Sequence, residues 1–314
     1  MKRGIKILMI DVFPEHFRRS VETLGVELRY ETGQDRTFYK NILPEYEVLI
    51  LNSAVKVDED LMQNAHSLKL VLRAGVGTDH IDEEALKKRG IQLISTPGAN
   101  AQAVGEMALG HLLVLLRNLR RADQQVRQFI WKREPNRGIE LSSLTVGIIG
   151  YGHTGQAFAK MAAASGCRIL AYDKYKSNYS DAYVKESTVE TIQKHADVLS
   201  FHIPLTNETR HWGCQSFFEA FDKSIYLLNL SRGEIILTKD LPDLLNSGKI
   251  LGAGLDVLEQ ENMAKITDEM KDLYLNLMQR ENILFSPHIG GWTYTSADNI
   301  YNRLLQALKE FYSI

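Results

Sequence analysis

Short apolar, β-branched runs alternate with amphipathic stretches along the whole chain. Residues 5–10 are followed by a helical pattern over 14–24, and 48–51 by one over 59–65. Residues 68–72 lead through a glycine turn to a helix over 83–89 and a run over 92–94. Strands alternating with helix-length segments predict βαβ units, and so a parallel sheet with helices on both faces. The rhythm restarts after a polar loop, 132–138, that contains Pro135. Residues 145–149, 168–172, 197–201, 225–229, 251–255 and 283–285 read as strands, and 156–164 as a helix. The pattern predicts an α/β protein with two such sheets. Between them, 100–128 reads as one long helical segment, nearly apolar all round in its first half and carrying Arg117, Arg120 and Arg121 later. A helix apolar on several faces must be covered on several faces. Packing between domains, against a second subunit, or in an ordinary core would each do so.

Composition narrows the class. The 314 residues hold 37 Lys and Arg against 39 Asp and Glu, a formal charge of −2, which argues against a phosphate-backbone binder. With 44% hydrophobic and 24% charged residues, a soluble globular protein of about two domains is expected. The apolar stretch 103–116 contains Glu106 and His111 and is too short to span a membrane. The basic start, Lys2 and Arg3, and the short apolar run ended by Asp11 read as a first strand rather than a secretory signal. Two cysteines, Cys167 and Cys214, are too few for a disulfide framework or a multi-cysteine metal site, and fit reduced thiols in the cytoplasm.

One glycine pattern carries chemistry. The strand at 145–149 runs into Gly150-Tyr-Gly152-His153-Thr154-Gly155, a helix follows, and the next strand ends at Asp173, 18 residues beyond Gly155. This is the arrangement of a dinucleotide site. Gly150 permits the tight turn, Gly152 lets the backbone approach the pyrophosphate, and Gly155 lets helix and strand pack closely. Asp173 accepts from the ribose hydroxyls and repels a 2′-phosphate, so NAD is expected over NADP, with Lys174 and Lys176 near enough to soften the choice.

Arg232, Glu261 and His288 lie in turns after late strands, the end of an open α/β sheet where ligands bind. They suit hydride transfer to a 2-keto acid. An arginine fork binds a carboxylate or polarises a carbonyl, a histidine moves the proton, and a carboxylate orients the imidazole. Taken singly, each also reads as a solvated loop residue.

Together these motifs resemble the D-isomer-specific 2-hydroxyacid dehydrogenases. The match extends to Arg73-Ala-Gly75-Val76-Gly77-Thr-Asp79-His-Ile-Asp82, to 96–100 ahead of Val104-Gly-Glu106, and to His202-Ile-Pro204-Leu-Thr206. The resemblance implies two Rossmann-like domains, with an NAD-binding domain (98–290) inserted in a flavodoxin-like substrate domain (1–97 with 291–314). It implies Arg232, Glu261 and His288 as the catalytic set. On the cofactor side it implies Gly150, Gly152, His153, Thr154, Gly155, Asp173, His202, Pro204, Thr209, Asp256 and Gly290. On the substrate side it implies Ser53, Arg73, Gly75, Val76, Gly77 and Asn100, with the amides of 76 and 77 offered to a carboxylate. A homodimer joined through the cofactor domain is also implied. The motifs are most similar to the phosphoglycerate dehydrogenase branch, with glyoxylate or hydroxypyruvate reduction as the alternative. An NAD-sensing, non-catalytic role of corepressor type is the alternative of another class. Three departures stand out. Thr154 replaces an aliphatic residue, Asn262 replaces a proline, and Asn52 replaces an arginine beside Ser53. The chain's end just after the closing helix implies no regulatory domain.

Overall fold

The computed structural model describes residues 4–314; the basic start at Lys2 and Arg3 lies outside the described residues. The chain forms two compact units. One comprises the chain up to Asn100 with Thr293–Ile314, the other Ala101–Trp292. Among the described residues, no helix is long and apolar enough to cross a membrane.

The first unit is built on β1 (Lys6–Ile10), β2 (Glu27–Glu31), β3 (Val48–Leu51), β4 (Leu70–Arg73) and β5 (Gln92–Ile94), in the order β2-β1-β3-β4-β5. All neighbours are parallel. The central strand β3, Val-Leu-Ile-Leu, is buried throughout, as a strand covered on both faces must be. Alternate residues feed two cores. Leu8, Leu49, Leu51 and Val71 meet Leu61, Met62 and Leu86. Ile7, Met9, Ile50 and Leu72 meet Phe17, Leu304 and Leu308, so the Glu15–Glu22 and Tyr294–Tyr312 helices cover that face. The helix expected over 59–65 is instead a run of turns. Its Met62 carbonyl accepts from Ala65 N and from the Arg89 guanidinium, which ends the ladder after one turn.

The second unit holds β6 (Thr145–Ile149), β7 (Arg168–Tyr172), β8 (Val184–Glu186), β9 (Val198–Phe201), β10 (Ile225–Asn229), β11 (Ile250–Leu255) and β12 (Ile283–Phe285), in the order β12-β11-β10-β9-β6-β7-β8. These strands too are all parallel. Their register aligns Tyr172, Ile149, Phe201, Asn229, Leu255 and Phe285 in one row at the carboxyl edge.

The segment expected as a single helix over 100–128 is two helices, Ala101–Leu116 and Leu119–Arg127. The break is at Asn118, whose φ of +52° is left-handed, a conformation asparagine tolerates. There the Leu116 carbonyl accepts from Ile139 N instead of continuing the helix. The apolar first helix packs within its own unit. A Cβ on Gly105 would lie 3.0 Å from the Ala157–Phe158 backbone, so glycine brings it close against the His153–Ala163 helix.

Candidate active site

The aligned row places the expected residues side by side. Asp173, Gly150, His202, Asp256 and Ser286 each follow directly on the row, and Arg232 and His288 each stand three residues beyond it.

At the β6 turn, Gly150 has φ +97°, and a Cβ there would meet the His202 carbonyl at 2.3 Å. A Cβ on Gly155 would meet the Gly150 carbonyl at 2.0 Å. A Cβ on Gly152 would meet nothing within 4 Å, so that face of the turn is open. The helix beginning at His153 has no side-chain cap, which leaves its first amides for a ligand anion. Asp173 accepts Tyr151 N at 2.8 Å on one oxygen and Tyr175 N and Lys176 N on the other. A carboxylate has about four acceptor positions, so one remains for a ribose hydroxyl. Lys174 pairs with Glu208, and Lys176 donates to the Tyr151 carbonyl at 2.8 Å, so both lysines are engaged away from the Asp173 carboxylate. These residues fit a dinucleotide without a 2′-phosphate.

Behind the turn stands His202, expected at the cofactor. Its ring is buried instead, stacked on Phe158, with Nε2 2.9 Å from Ser200 Oγ and Nδ1 3.3 Å from Thr154 Oγ1. Burial pushes its pKa down to about 3. The ring therefore supports the turn from inside, and Thr154 serves it as a polar partner where an aliphatic residue would only pack. Thr209, also expected at the cofactor, closes its own loop by accepting from Thr206 N and donating to the Pro204 carbonyl.

Arg232 follows β10 and is half-buried, with Nη1 donating to the Ser231 carbonyl at 2.7 Å. Asn229 braces this turn by accepting from Ser231 N and donating to the Arg232 carbonyl. A Cβ on Gly233 would meet Leu258 backbone at 2.0 Å, so the arginine turn lies directly on the segment leading to Glu261. His288 Nδ1 lies 2.9 Å from Glu261 Oε2, and both side chains are 45% exposed. His288 has φ +56°, an uncommon value for a non-glycine residue. Asp256 holds it there. The Asp256 carbonyl accepts His288 N at 2.7 Å, and its buried carboxylate accepts Ile289 N at 2.9 Å, Gly290 N at 2.7 Å and Ser286 Oγ–H. A Cβ on Gly290 would meet Asp256 Oδ2 at 2.8 Å. Asp256, expected at the cofactor, thus also holds the histidine loop.

In the first unit, Asp11 Oδ2 accepts the amides of Asn52, Ser53 and Ala54. Arg73 folds back to donate to the Ala74 carbonyl, and Gly75, with φ +146°, leaves it room, since a Cβ would fall 1.5 Å from the Arg73 Nη1. The amides of Val76 and Gly77 have no acceptor among the described residues. Asn100 Oδ1 is buried and without a partner among them. Sequence reasoning missed Ser200, which partners His202, and the bond of Ser286 to Asp256.

Residues 109–290 match the family model for the D-isomer specific 2-hydroxyacid dehydrogenase, NAD binding domain. The chain is 38% identical to a hydroxypyruvate reductase of Thermotoga maritima over 252 residues, 80% of each chain. It is 31% identical to a D-3-phosphoglycerate dehydrogenase of Archaeoglobus fulgidus over 298 residues, 94% of this chain but 55% of that one. It thus spans about half the length of that relative. The D-lactate dehydrogenase of Aquifex aeolicus, solved with NAD and lactic acid, superposes with a TM-score of 0.88 at 27% identity, covering 98% of this chain and 95% of that one. The chain belongs to the D-isomer-specific 2-hydroxyacid dehydrogenases, enzymes that act with NAD on the hydroxyl group of 2-hydroxy acids.

Proposed function

We propose that the protein interconverts a small, unphosphorylated 2-keto acid of the hydroxypyruvate or glyoxylate kind and its D-2-hydroxy acid, with His288 as acid–base group, Glu261 as its partner and Arg232 as substrate ligand. The observation that carries the chemistry is the His288–Glu261 contact beside Arg232 on one sheet edge. Glu261 accepts at Nδ1, which leaves Nε2 as the working nitrogen. In reduction, Nε2–H gives its proton to the substrate oxygen while Arg232 holds the carboxylate and polarises the carbonyl; in oxidation the neutral Nε2 takes that proton. NAD, when bound, supplies the hydride acceptor, and in reduced form the donor. Gly150, Gly152, the first turn after His153 and Asp173 would hold it. The amides of Val76 and Gly77 are suited to the substrate carboxylate.

The substrate class rests on the turn at Ser53. Asn52 brings no charge there, Asp11 already takes the three amides, and the neighbouring Lys56 faces Asp58. A phosphoryl group on the substrate would find Arg73 near this turn but not the further charge-assisted donor that an arginine at 52 would bring. A panel of hydroxypyruvate, glyoxylate, pyruvate and 3-phosphohydroxypyruvate with NADH, followed at the nicotinamide band, tests both parts. Hydroxypyruvate or glyoxylate should exceed the phosphorylated acid in kcat/KM by about tenfold or more, the worth of one charged contact. Preference for the phosphorylated acid overturns the substrate class. Tight NAD binding with no turnover on any acid favours the sensing role instead. We also propose a cytoplasmic homodimer. The thiols of Cys167 and Cys214 are both free, and the exposed Phe129 and Trp131 of the second unit are suited to a second copy of the chain.

A further inference from the structure

Ser286, the first residue after β12, stands between Asp256 and the Ala101–Leu116 helix. Its hydroxyl donates to Asp256 Oδ1, and its Oγ lies 3.2 Å from His111 Nε2. A serine hydroxyl has one proton. With that proton on the Asp256 carboxylate, Oγ faces His111 as an acceptor, so His111 carries its hydrogen on Nε2. The other nitrogen, Nδ1, is buried with no partner among the described residues, which suits a bare nitrogen better than a second N–H. Burial holds the His111 pKa below its ordinary value, against the pull of the Asp256 charge. Gly254 admits the ring, since a Cβ there would lie 3.0 Å from both the Cβ and Nδ1 of His111.

We propose that His111 is a positioning residue for His288. Its Nε2–H, through Ser286, orients the Asp256 carboxylate that holds the 288–290 backbone, and so sets where the His288 ring stands. The inference rests on the reading of His288 as the acid–base group. Every link lies within the second unit. Asp256 has two kinds of donor, the loop amides it holds and the Ser286 hydroxyl. Only the hydroxyl rotates, and His111 is what fixes it.

The test combines kinetics with amide hydrogen exchange on the full chain. Leucine at 111 fills the space without a donor, and glutamine returns an N–H at similar reach. His111→Leu should lower kcat about tenfold with KM and Tm little changed, the pattern of a contact that matters in the transition state. Exchange at the Ile289 and Gly290 amides should speed by about tenfold, because the carboxylate that protects them is less fixed. His111→Gln should recover most of both. The double variant His111→Leu, Ser286→Ala should be no worse than Ser286→Ala alone, because the two act as one chain. Unchanged kcat and exchange in His111→Leu, an equal loss in His111→Gln, or additive losses in the double variant would each overturn the relay. If the unaltered enzyme turns over no keto acid, the reading of His288 fails, while the exchange rates still decide whether His111 governs the loop.

Discussion

The φ of +56° at His288 separates two effects that are usually confounded in a catalytic histidine. Asparagine accepts the left-handed conformation with little strain, whereas alanine costs about 1–2 kcal/mol there. Both His288→Asn and His288→Ala should lower kcat/KM by about 10²–10⁴, the usual contribution of a positioned acid–base group. The asparagine variant should therefore melt above the alanine variant. Equal melting temperatures would show that the backbone is not strained. Asp173 is the residue expected to make the cofactor choice. Asp173→Asn keeps an acceptor for Tyr151 N but removes the charge, so the NADH-to-NADPH ratio of kcat/KM should fall, by about tenfold for one lost charge contact. An unchanged ratio would assign the preference elsewhere. His202 predicts a pH dependence. Its folded-state pKa, about 3, lies below the unfolded value near 6.5, so the unfolded chain binds more protons between the two. Its contribution to stability is full above pH 6.5 and is lost as pH falls toward 3. Thermal melts from pH 7.5 to 4.5 should fall steeply for the native protein and less steeply for His202→Asn. Parallel curves would remove His202 from the account. The histidine and glycine of these motifs were visible as residue types. Whether a ring faced the ligand or propped the turn depended on its three-dimensional neighbours, Thr154 and Ser200, and no spacing rule contains those.

At the scale of elements, apolar strands were legible, including the edge strands β5 and β12, and charged edge strands were not. β2, Glu-Leu-Arg-Tyr-Glu, and β8, Val-Lys-Glu, were both passed over, and each is an outer strand of its sheet. An edge strand has one neighbour and tolerates charge, which also discourages pairing with another chain, so its composition reads as loop. The run at 59–65 failed in the opposite direction. It has apolar residues at helical spacing, and Leu61, Met62 and Ala65 are indeed buried, but turns present them just as well. The glycine turn was legible because its constraints are steric, and they divide cleanly. Gly155→Ala puts a methyl group where the Gly150 carbonyl stands and should cost about 1–3 kcal/mol of stability, as overpacking does. Gly152→Ala meets no protein atom and has an extended backbone that alanine adopts, so it should melt as the native protein does. It should nonetheless bind NADH about tenfold or more weakly, because the methyl group occupies the face the phosphates approach. Melting curves paired with NADH fluorescence titration check both. Equal effects of the two variants on stability would mean that Gly152 is a structural glycine.

For the whole molecule, the unresolved quantity in the sequence was what covers the apolar residues of the segment after Leu116. The first helix proved to be core, packed on the sheet of its own unit. The second, Leu119–Arg127, buries none of its residues. Beyond it Phe129 is fully exposed and Trp131 80% exposed, beside half-exposed Leu119 and Val126. The segment is nevertheless held in shape. Arg121 donates to Asn136 and to the Pro135 carbonyl, Asn136 to Gln125, and Asn118 to the Arg137 carbonyl. An ordered arm that keeps two large aromatic side chains in water has the features of an interface core, which is rich in such residues. A net charge of −2 sets little repulsion against self-association. Sedimentation at micromolar concentration should therefore give about twice the 35.6 kDa chain mass. The pair Phe129→Asp, Trp131→Asp should shift the protein to a monomer with an unchanged circular dichroism spectrum, because neither side chain contributes to the chain's own core. A native monomer, or a dimer that survives both substitutions, would place the interface elsewhere. Loss of the fold would instead show that the aromatic residues pack within the chain, against their exposure. Because Phe129 and Trp131 are exposed and Arg120 ties the arm to the Arg280 and Ile283 carbonyls, the two substitutions should leave the sheet that carries Asp173, Arg232 and His288 intact. The monomer should then keep its affinity for NADH, and any fall in turnover would measure what the second copy adds.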